Sequence, residues 1–375
     1  MGRKLNGFTV HQFRQLCSME FEGIGGVNLL VGENNSGKTS ILESLSLFSR
    51  PLDPLELINT AKRREVKSSR ERVLDGVRWL FPQSHADPDD SYFRGHIAFS
   101  GRGLSHKSVS IQFSGLLGDA VSEGLLAESD ESPQATLPSE AFSSRRGASI
   151  AMSCETEQQS LFGGGDVHRF DFELWEDERY VSRAPVEGYQ LPVATISPVS
   201  HRVELIQTRQ LSEAVLAGEK YSVIEVVKLI DPRIENLEVI SRTGISPTLW
   251  VRHRDAGFCP VSTLGDGTRR VLTMALQLHS VRGGMLLIDE IETAIHKDAL
   301  ARVFKWLVDA CRTLDVQLFA TTHSLEAIDA LLLAELDHSE EIVAYQLPDQ
   351  GQTEVKRFTG DILEGLRFER GLDIR

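Results

Sequence analysis

The sequence predicts an α/β chain with a mostly parallel core sheet, an antiparallel strand layer near the N-terminus, and an inserted helical and loop region. Three observations lead there. Val27-Asn28-Leu29-Leu30-Val31 is a short apolar run that enters a glycine-rich turn at Gly32 to Gly37. After the turn, Ile41, Leu42, Leu45 and Phe48 recur at helical spacing. In the last third, the apolar runs Met285–Ile288 and Val316–Thr321 alternate with amphipathic stretches marked by Leu272, Ala275, Leu276 and His279, and by Leu300, Val303, Phe304, Leu307 and Cys311. Strands separated by helices make parallel sheets, because the chain needs a helix to return to the edge where it began.

The elements follow in order. Residues 5–31 alternate and then turn apolar, which reads as a strand or hairpin followed by a buried strand. Residues 56–80 read as helical, 92–99 and 107–113 as strands. The segment 115–165 is rich in Gly, Ser, Ala and Glu, with a Gly163-Gly164-Gly165 run, and is expected to be a flexible insertion. Strand-like pieces return at 167–181, helices at 201–218 and 220–230, and strands at 236–242 and 247–253. Ile342–Gln346 and Thr353–Phe358 suggest a sheet edge. Residues 1–50 and 225–375 are therefore expected to form the core, with 51–224 inserted.

Composition narrows the setting. A formal charge of −14 excludes a surface that grips nucleic acid all over, so any such contact must be local. No apolar run approaches the ~18 residues that cross a bilayer. Met1 to Asn6 turns polar at once, so no leader segment is expected. Cys17, Cys154, Cys259 and Cys311 lack metal-site spacing and fit reduced thiols, so a cytoplasmic setting without membrane contact is expected.

The chemistry gathers in short motifs. Gly32-Glu33-Asn34-Asn35-Ser36-Gly37-Lys38-Thr39 satisfies G-x-x-x-x-G-K-[ST], and Ser40 follows it. Such a loop turns backbone N–H groups inward around phosphate oxygens, at the positive end of the next helix. Lys38 is then expected to reach the β- and γ-phosphates of ATP, and the Thr39 hydroxyl to ligate Mg²⁺. Met285–Ile288 ends in Asp289-Glu290. Asp289 at a strand tip can hold the Mg²⁺, and Glu290 can act as general base toward water. Thr321-Thr322-His323-Ser324 closes the next strand, where His323 can report on the γ-phosphate. Gly265, Asp266 and Gly267 open the helix before the Asp-Glu strand and expose backbone N–H groups, a second anion site. All of this requires Lys38 and the acidic pair to rest on adjoining strand tips. A glycine turn or an Asp-Glu strand end is ordinary alone; the pair of them, so framed, is not.

In that order, the phosphate loop, glycine-rich helix start, Asp-Glu strand and strand-end histidine resemble P-loop NTPases of the ABC-ATPase type, the heads of the SMC and recombination-repair class. The Asn34-Asn35 pair, Leu264-Gly265-Asp266-Gly267-Thr268-Arg269-Arg270, and Asp289-Glu290-Ile291-Glu292 followed by Ile295-His296 are similar to the OLD (overcoming lysogenisation defect) ATPases and their stand-alone relatives. The resemblance covers residues 5–48 and about 225–330, and is poor over 50–225. It implies a head-to-head dimer, or a higher homo-oligomer, with each ATP between one copy's phosphate loop and the other's Gly265, Asp266 and Gly267. Gly265 stands where ABC proteins carry a serine, so that contact is expected to pass to backbone N–H groups or to Ser262. His296 is expected across the interface. No Q-loop stands out, Gln83 being the candidate. Full-length OLD proteins continue into a TOPRIM nuclease domain, for which the 52 residues after His323 are too few. The resemblance therefore implies an ATPase that couples nucleotide state to DNA or to a separately encoded effector such as a nuclease, in antiviral defence or DNA maintenance.

Two functions share these motifs: an ATPase whose hydrolysis remodels DNA or a partner, and a slow-hydrolysing, ATP-gated sensor or scaffold that sequesters an effector. A P-loop kinase is disfavoured by the Gly-Asp-Gly helix start and the strand-end histidine. A GTPase is disfavoured because no asparagine is followed by lysine. The basic stretch Lys62 to Arg72 is a candidate DNA contact, offset by Glu65 and Glu71.

Overall fold

Alternation within the central strands decides the layering. In β3 (Val27–Val31), Val27, Leu29 and Val31 join one apolar core while Leu30 joins another. In β12 (Met285–Ile288), Leu286 and Ile288 face the first core, Met285 and Leu287 the second. A strand buried on both faces can be apolar throughout, which is why these runs show no polar alternation. A computed structural model describes residues 4–64, 73–83, 92–103, 105–120, 143–157, 165–176, 190–202, 204–242, 245–334, 341–348 and 354–374.

The core sheet runs β15-β14-β3-β13-β12-β8, with β8 at Val193–Ile196, β13 at Gln317–Thr321, β14 at Ile342–Gln346 and β15 at Lys356–Thr359. Its strands pair in parallel except β15, which runs antiparallel at the edge. A second sheet, wholly antiparallel, has the order β2-β1-β4-β5-β6-β7. It comprises β1 (Leu5–Phe13), β2 (Leu16–Glu22), β4 (Arg94–Gly103), β5 (His106–Ala120), β6 (Ser143–Glu157) and β7 (Gly165–Trp175). A three-stranded meander of β9 (Ile234–Arg242), β10 (Ile245–His253) and β11 (Gly257–Pro260) completes the strands.

Helix α1 (Lys38–Ser49) lies between the two large sheets and buries Ile41, Leu42, Leu45, Leu47 and Phe48. The Phe48 ring meets Phe8 of β1 edge-on at 5.3 Å. Short helices α2 (Pro54–Lys62) and α3 (Val73–Arg78) flank it on this side. On the other side of the core sheet pack α4 (Glu204–Leu216), α5 (Lys220–Val227), α6 (Asp266–Ser280), α7 (Lys297–Thr313) and α8 (Leu325–Ala334), with α9 (Gly360–Glu364) at the end. The sequence periodicities of α1, α6 and α7 match the buried faces.

The structure departs from the sequence expectation in three places. The segment 115–165 is not a loose insertion where it is described. Residues 115–120 extend β5, and 143–157 form β6, which pairs along its whole length with β5. Ala148, Ile150, Met152 and Cys154 alternate onto the buried face, a period-2 signal that small and polar neighbours hid. Residues 121–142 and 158–164 lie outside the described residues. Next, 51–224 supplies four strands to the antiparallel sheet and β8 to the core sheet, so both sheets draw on it. Finally, β3 and β12 do not adjoin: β13 lies between them. The start of α1 nevertheless reaches the tip of β12, where the Thr39 hydroxyl meets the Asp289 carboxylate.

Among the described residues no helix is long and apolar enough to cross a membrane.

Candidate functional site

The phosphate loop is shaped by backbone that few side chains tolerate. Gly32 has φ 144°, Asn35 φ 66° and Gly37 φ 93°. At Gly37 an added Cβ would also lie 2.6 Å from Leu16, so a left-handed turn and close packing both select glycine there. Glu33, Asn34 and Asn35 are exposed at the crest, while Lys38 is buried at its foot. Gly37 caps α1 without a side-chain bond to the first amides. The start of α1 therefore presents N–H groups and the positive end of the helix dipole, the arrangement that suits a phosphate.

Lys38 Nζ donates to the carbonyls of Gly32 at 2.8 Å and Glu33 at 2.6 Å, curling back over its own loop. Burial lowers the Lys38 pKa below its ordinary value, while the carboxylates of Asp289 and Glu290 oppose that shift. The ammonium is thus held inside the acidic pair's field.

The Thr39 hydroxyl lies 3.2 and 3.1 Å from the two carboxylate oxygens of Asp289, across 250 positions of sequence. Asp289 also accepts from Thr321 Oγ1 at 2.7 Å, and the same hydroxyl accepts from the Glu290 N–H at 2.8 Å. Thr321, the last residue of β13, therefore ties the Asp-Glu turn to β13, which pairs with β3 at Leu30 just before the phosphate loop. Glu290 has φ 48°, a left-handed conformation unusual for a residue with a side chain. Its Oε2 accepts from Thr293 Oγ1 at 2.8 Å. Glu292 accepts from the His323 backbone N–H at 3.0 Å, joining the acidic turn to the strand-end histidine. His323 is half-buried beside it.

These donors fit Mg²⁺. Among the described residues no group of three or more His, Cys, Asp or Glu side chains could hold a metal alone. One hydroxyl facing one carboxylate is the set that a Mg²⁺ sharing its shell with phosphate and water requires.

The glycine-rich helix start has its own setting. Gly265 caps α6, again with no side-chain bond, and an added Cβ there meets nothing within 4 Å. Gly267 is different: its Cβ would lie 2.8 Å from the Ala294 carbonyl oxygen. Asp266 is held by Arg202 at 3.0 Å and stands 3.5 Å from His201, and the Arg202 hydrogen bond lowers its pKa. Ser262 is exposed one turn earlier, and His296 caps α7 by accepting from the Asp298 N–H at 3.4 Å. Gln83 donates to the carbonyls of Arg78 and Phe81, bonds within its own turn. The Ser40 hydroxyl accepts from Arg64 Nη2 at 2.8 Å, and Arg64 pairs with the buried Glu43 at 2.8 Å. Arg63 likewise pairs with Glu56 at 2.5 Å. In the basic stretch, then, Arg63 and Arg64 are engaged internally, Lys62 is exposed, and 65–72 lies outside the described residues.

Sequence reasoning missed Thr321, Thr293, Glu292 and Arg270 as parts of the site. Arg270 is fully buried, and its guanidinium donates to the carbonyls of Ser197, Asp289 (2.9 Å) and Glu290 (3.1 Å). Burial lowers its pKa to about 10, against the carboxylates of Asp289, Glu290 and Glu292. The available signal was a charge on an otherwise apolar helix face, which is easily taken for a solvated residue.

Comparison with known proteins fits this geometry. Residues 158–329 match the model of a family described as "AAA domain, putative AbiEii toxin, Type IV TA system". That span contains Gly265–Gly267, Asp289, Glu290 and His323 but not the phosphate loop. An uncharacterized protein of Methanocaldococcus jannaschii is 39% identical over 69 residues, which is 18% of this chain and 60% of that protein's length. Among solved structures, an SMC head bound to the C-terminal winged-helix domain of ScpA is 10% identical at TM-score 0.46, covering 99% of this chain and 100% of that one. The recombination mediator RecF is 12% identical at TM-score 0.46, covering 95% and 98%. At those identities and scores the two likenesses bear on no activity. Motif order, the strand order that gathers the motifs, and the matched family together support a P-loop ATPase of the ABC type.

Proposed function

We propose that the chain binds ATP with Mg²⁺ at residues 32–40 and hydrolyses it between two copies set head to head. The observation that carries this reading is the Thr39 hydroxyl facing both oxygens of Asp289 beside the buried Lys38. When bound, Mg²⁺ supplies charge neutralisation at the phosphate oxygens, and Thr39 and Asp289 are the residues that would hold it. Lys38 and the first amides of α1 bind and orient the β- and γ-phosphates. Glu290 accepts the proton of the attacking water at its carboxylate, and His323, tied through Glu292 to the same turn, reads the γ-phosphate. Gly265, Asp266 and Gly267 of the second copy close the site with backbone N–H groups.

We assign the chain to the stand-alone OLD-like ATPases on its motifs, with a separately encoded effector, such as a nuclease, as partner and antiviral defence as the setting. Contact with DNA through Lys62 to Arg72 is the lesser part of the reading. Equal salt dependence of DNA affinity in the wild type and in a variant neutralised at those positions would remove it.

The decisive experiment is phosphate release from ATP by the wild type and by Lys38→Ala. Removing a preorganised charge at the transferring phosphoryl group should slow hydrolysis about 100-fold or more. Equal rates in the two proteins would falsify the assignment. One observation favours a second reading, a slow ATP-gated sensor or scaffold that sequesters an effector: Glu290 Oε2 is occupied by Thr293. Glu290→Gln separates the two. If hydrolysis drives the work, function is abolished; if ATP-bound assembly is the signal, function persists.

A further inference from the structure

Helix α6 touches the acidic turn at two points that lie three residues apart on one helical face. At its first turn, Gly267 packs so closely on the Ala294 carbonyl that no side chain fits. One turn later, the Arg270 guanidinium donates to the carbonyls of Asp289 and Glu290 and, from its other nitrogen, to Ser197 just beyond β8. The turn between these contacts is unusual backbone. Glu290 has φ 48° and Ala294 φ 65°, so two residues with side chains are held left-handed within five positions. Such conformations persist only where surroundings over-determine them. Here the surroundings are α6, Thr321 and Thr293.

We propose that Arg270 is a positioning residue that makes the start of α6 and the Glu290 turn move as one body. The inference rests on the ATPase reading above. In it, Gly265–Gly267 faces the nucleotide held mainly by the other copy, whereas Glu290 serves the nucleotide of its own phosphate loop. Arg270 then links the two sites: closure on one nucleotide sets the carbonyls of 289 and 290, and with them the aim of the Glu290 carboxylate, at the other. A planar fork reaching three carbonyls from two elements suits this, and a lysine's point charge cannot span the same set. Arg270 touches neither water nor phosphate in this role.

The test compares wild type, Arg270→Lys and Arg270→Met for steady-state hydrolysis and for affinity by titration with a fluorescent ATP analogue. A positioning role predicts that kcat falls about 100-fold in Arg270→Met, as for other small misplacements of a catalytic group. Affinity should stay within about 3-fold, and Arg270→Lys should recover part of kcat. Wild-type kcat in both variants overturns the proposal. So does a parallel fall of kcat and affinity with loss of thermal stability, which marks a purely structural residue. A wild type that hydrolyses no ATP overturns the ATPase reading instead. Should both variants fail to fold, hydrogen exchange on the unmodified chain decides. With a non-hydrolysable ATP analogue and Mg²⁺, peptides spanning 265–270 and 289–295 should gain protection together, at one half-saturating concentration. Protection in one alone, or in neither, overturns the coupling.

Discussion

Gly267 shows how one position can be fixed by a neighbour far away in sequence. An alanine there would place its Cβ 2.8 Å from the Ala294 carbonyl, which lies in the turn that carries Glu290. Either α6 or that turn must shift. Gly267→Ala is therefore expected to lower ATP hydrolysis by about 100-fold while changing stability by less than about 2 kcal/mol. Phosphate-release assays and urea unfolding check the two halves separately. Lys107 makes a different prediction. It is almost wholly buried under α1, donates to the Phe48 carbonyl at 2.6 Å, and sits 4.6 Å over the Phe48 ring. Burial lowers its pKa from 10.5 to about 8, with the nearby Cys154 the opposing influence. Between those values the unfolded chain holds a proton that the folded chain has lost, so stability rises with pH across that window. Relative to Lys107→Met, the wild type should gain about 2 kcal/mol between pH 7.5 and 10. Parallel urea midpoints in the two proteins across this range would refute the assignment.

At the scale of elements, β3 must arrive in one register for the phosphate loop to begin in the right place. Two buried amides set it. Asn28 accepts from the Gly25 N–H at 2.8 Å and donates to the carbonyls of Gly25 and Leu318. Gln317, at the start of β13, bonds both backbone groups of Leu5 and the Gly25 carbonyl. These side chains tie β1, β3 and β13 together below the site. Asn28→Leu leaves the Gly25 N–H and the Leu318 carbonyl buried without their side-chain partner. The expected loss is about 2–4 kcal/mol, read as a lower urea midpoint. In the sequence Asn28 looks like an interruption of an apolar strand; only its neighbours show what it does.

At the scale of the whole molecule, the first turn of α6 lies against the Glu290 turn of its own chain, through Gly267 on the Ala294 carbonyl and Arg270 on the carbonyls of 289 and 290. Thr39 joins the phosphate loop directly to Asp289, while Gly265 caps α6 with no side-chain bond to its first amides. The proposed head-to-head pairing would let those amides close on the nucleotide of the other copy. Glu290→Gln with ATP and Mg²⁺ should therefore double its mass in light scattering, and Lys38→Ala should not. A chain that stays at monomer mass with saturating ATP would refute the pairing. The large negative charge opposes association at low ionic strength, so the measurement belongs at about 0.15 M salt or above.

Much of the site was legible in the chain itself. A phosphate loop needs glycines and a lysine at fixed spacing, and the strand before it must be apolar because it is buried on both faces. The same holds for Met285–Ile288 and its two acids. These are local requirements, so residues 27–39 and 285–290 declare them without reference to the rest. Small and polar neighbours kept β6 from declaring itself, although Ala148, Ile150, Met152 and Cys154 alternate correctly. What no local pattern could state was which strands would adjoin. The placing of β13 between β3 and β12, the bridging by Thr321, and the burial of Arg270 against three carbonyls depend on segments tens to hundreds of residues apart. Spacing along a chain fixes the chemistry a residue can perform, whereas its partners are set by packing between distant segments. That is why the sequence named the candidate groups and only the tertiary structure named the residues that hold them.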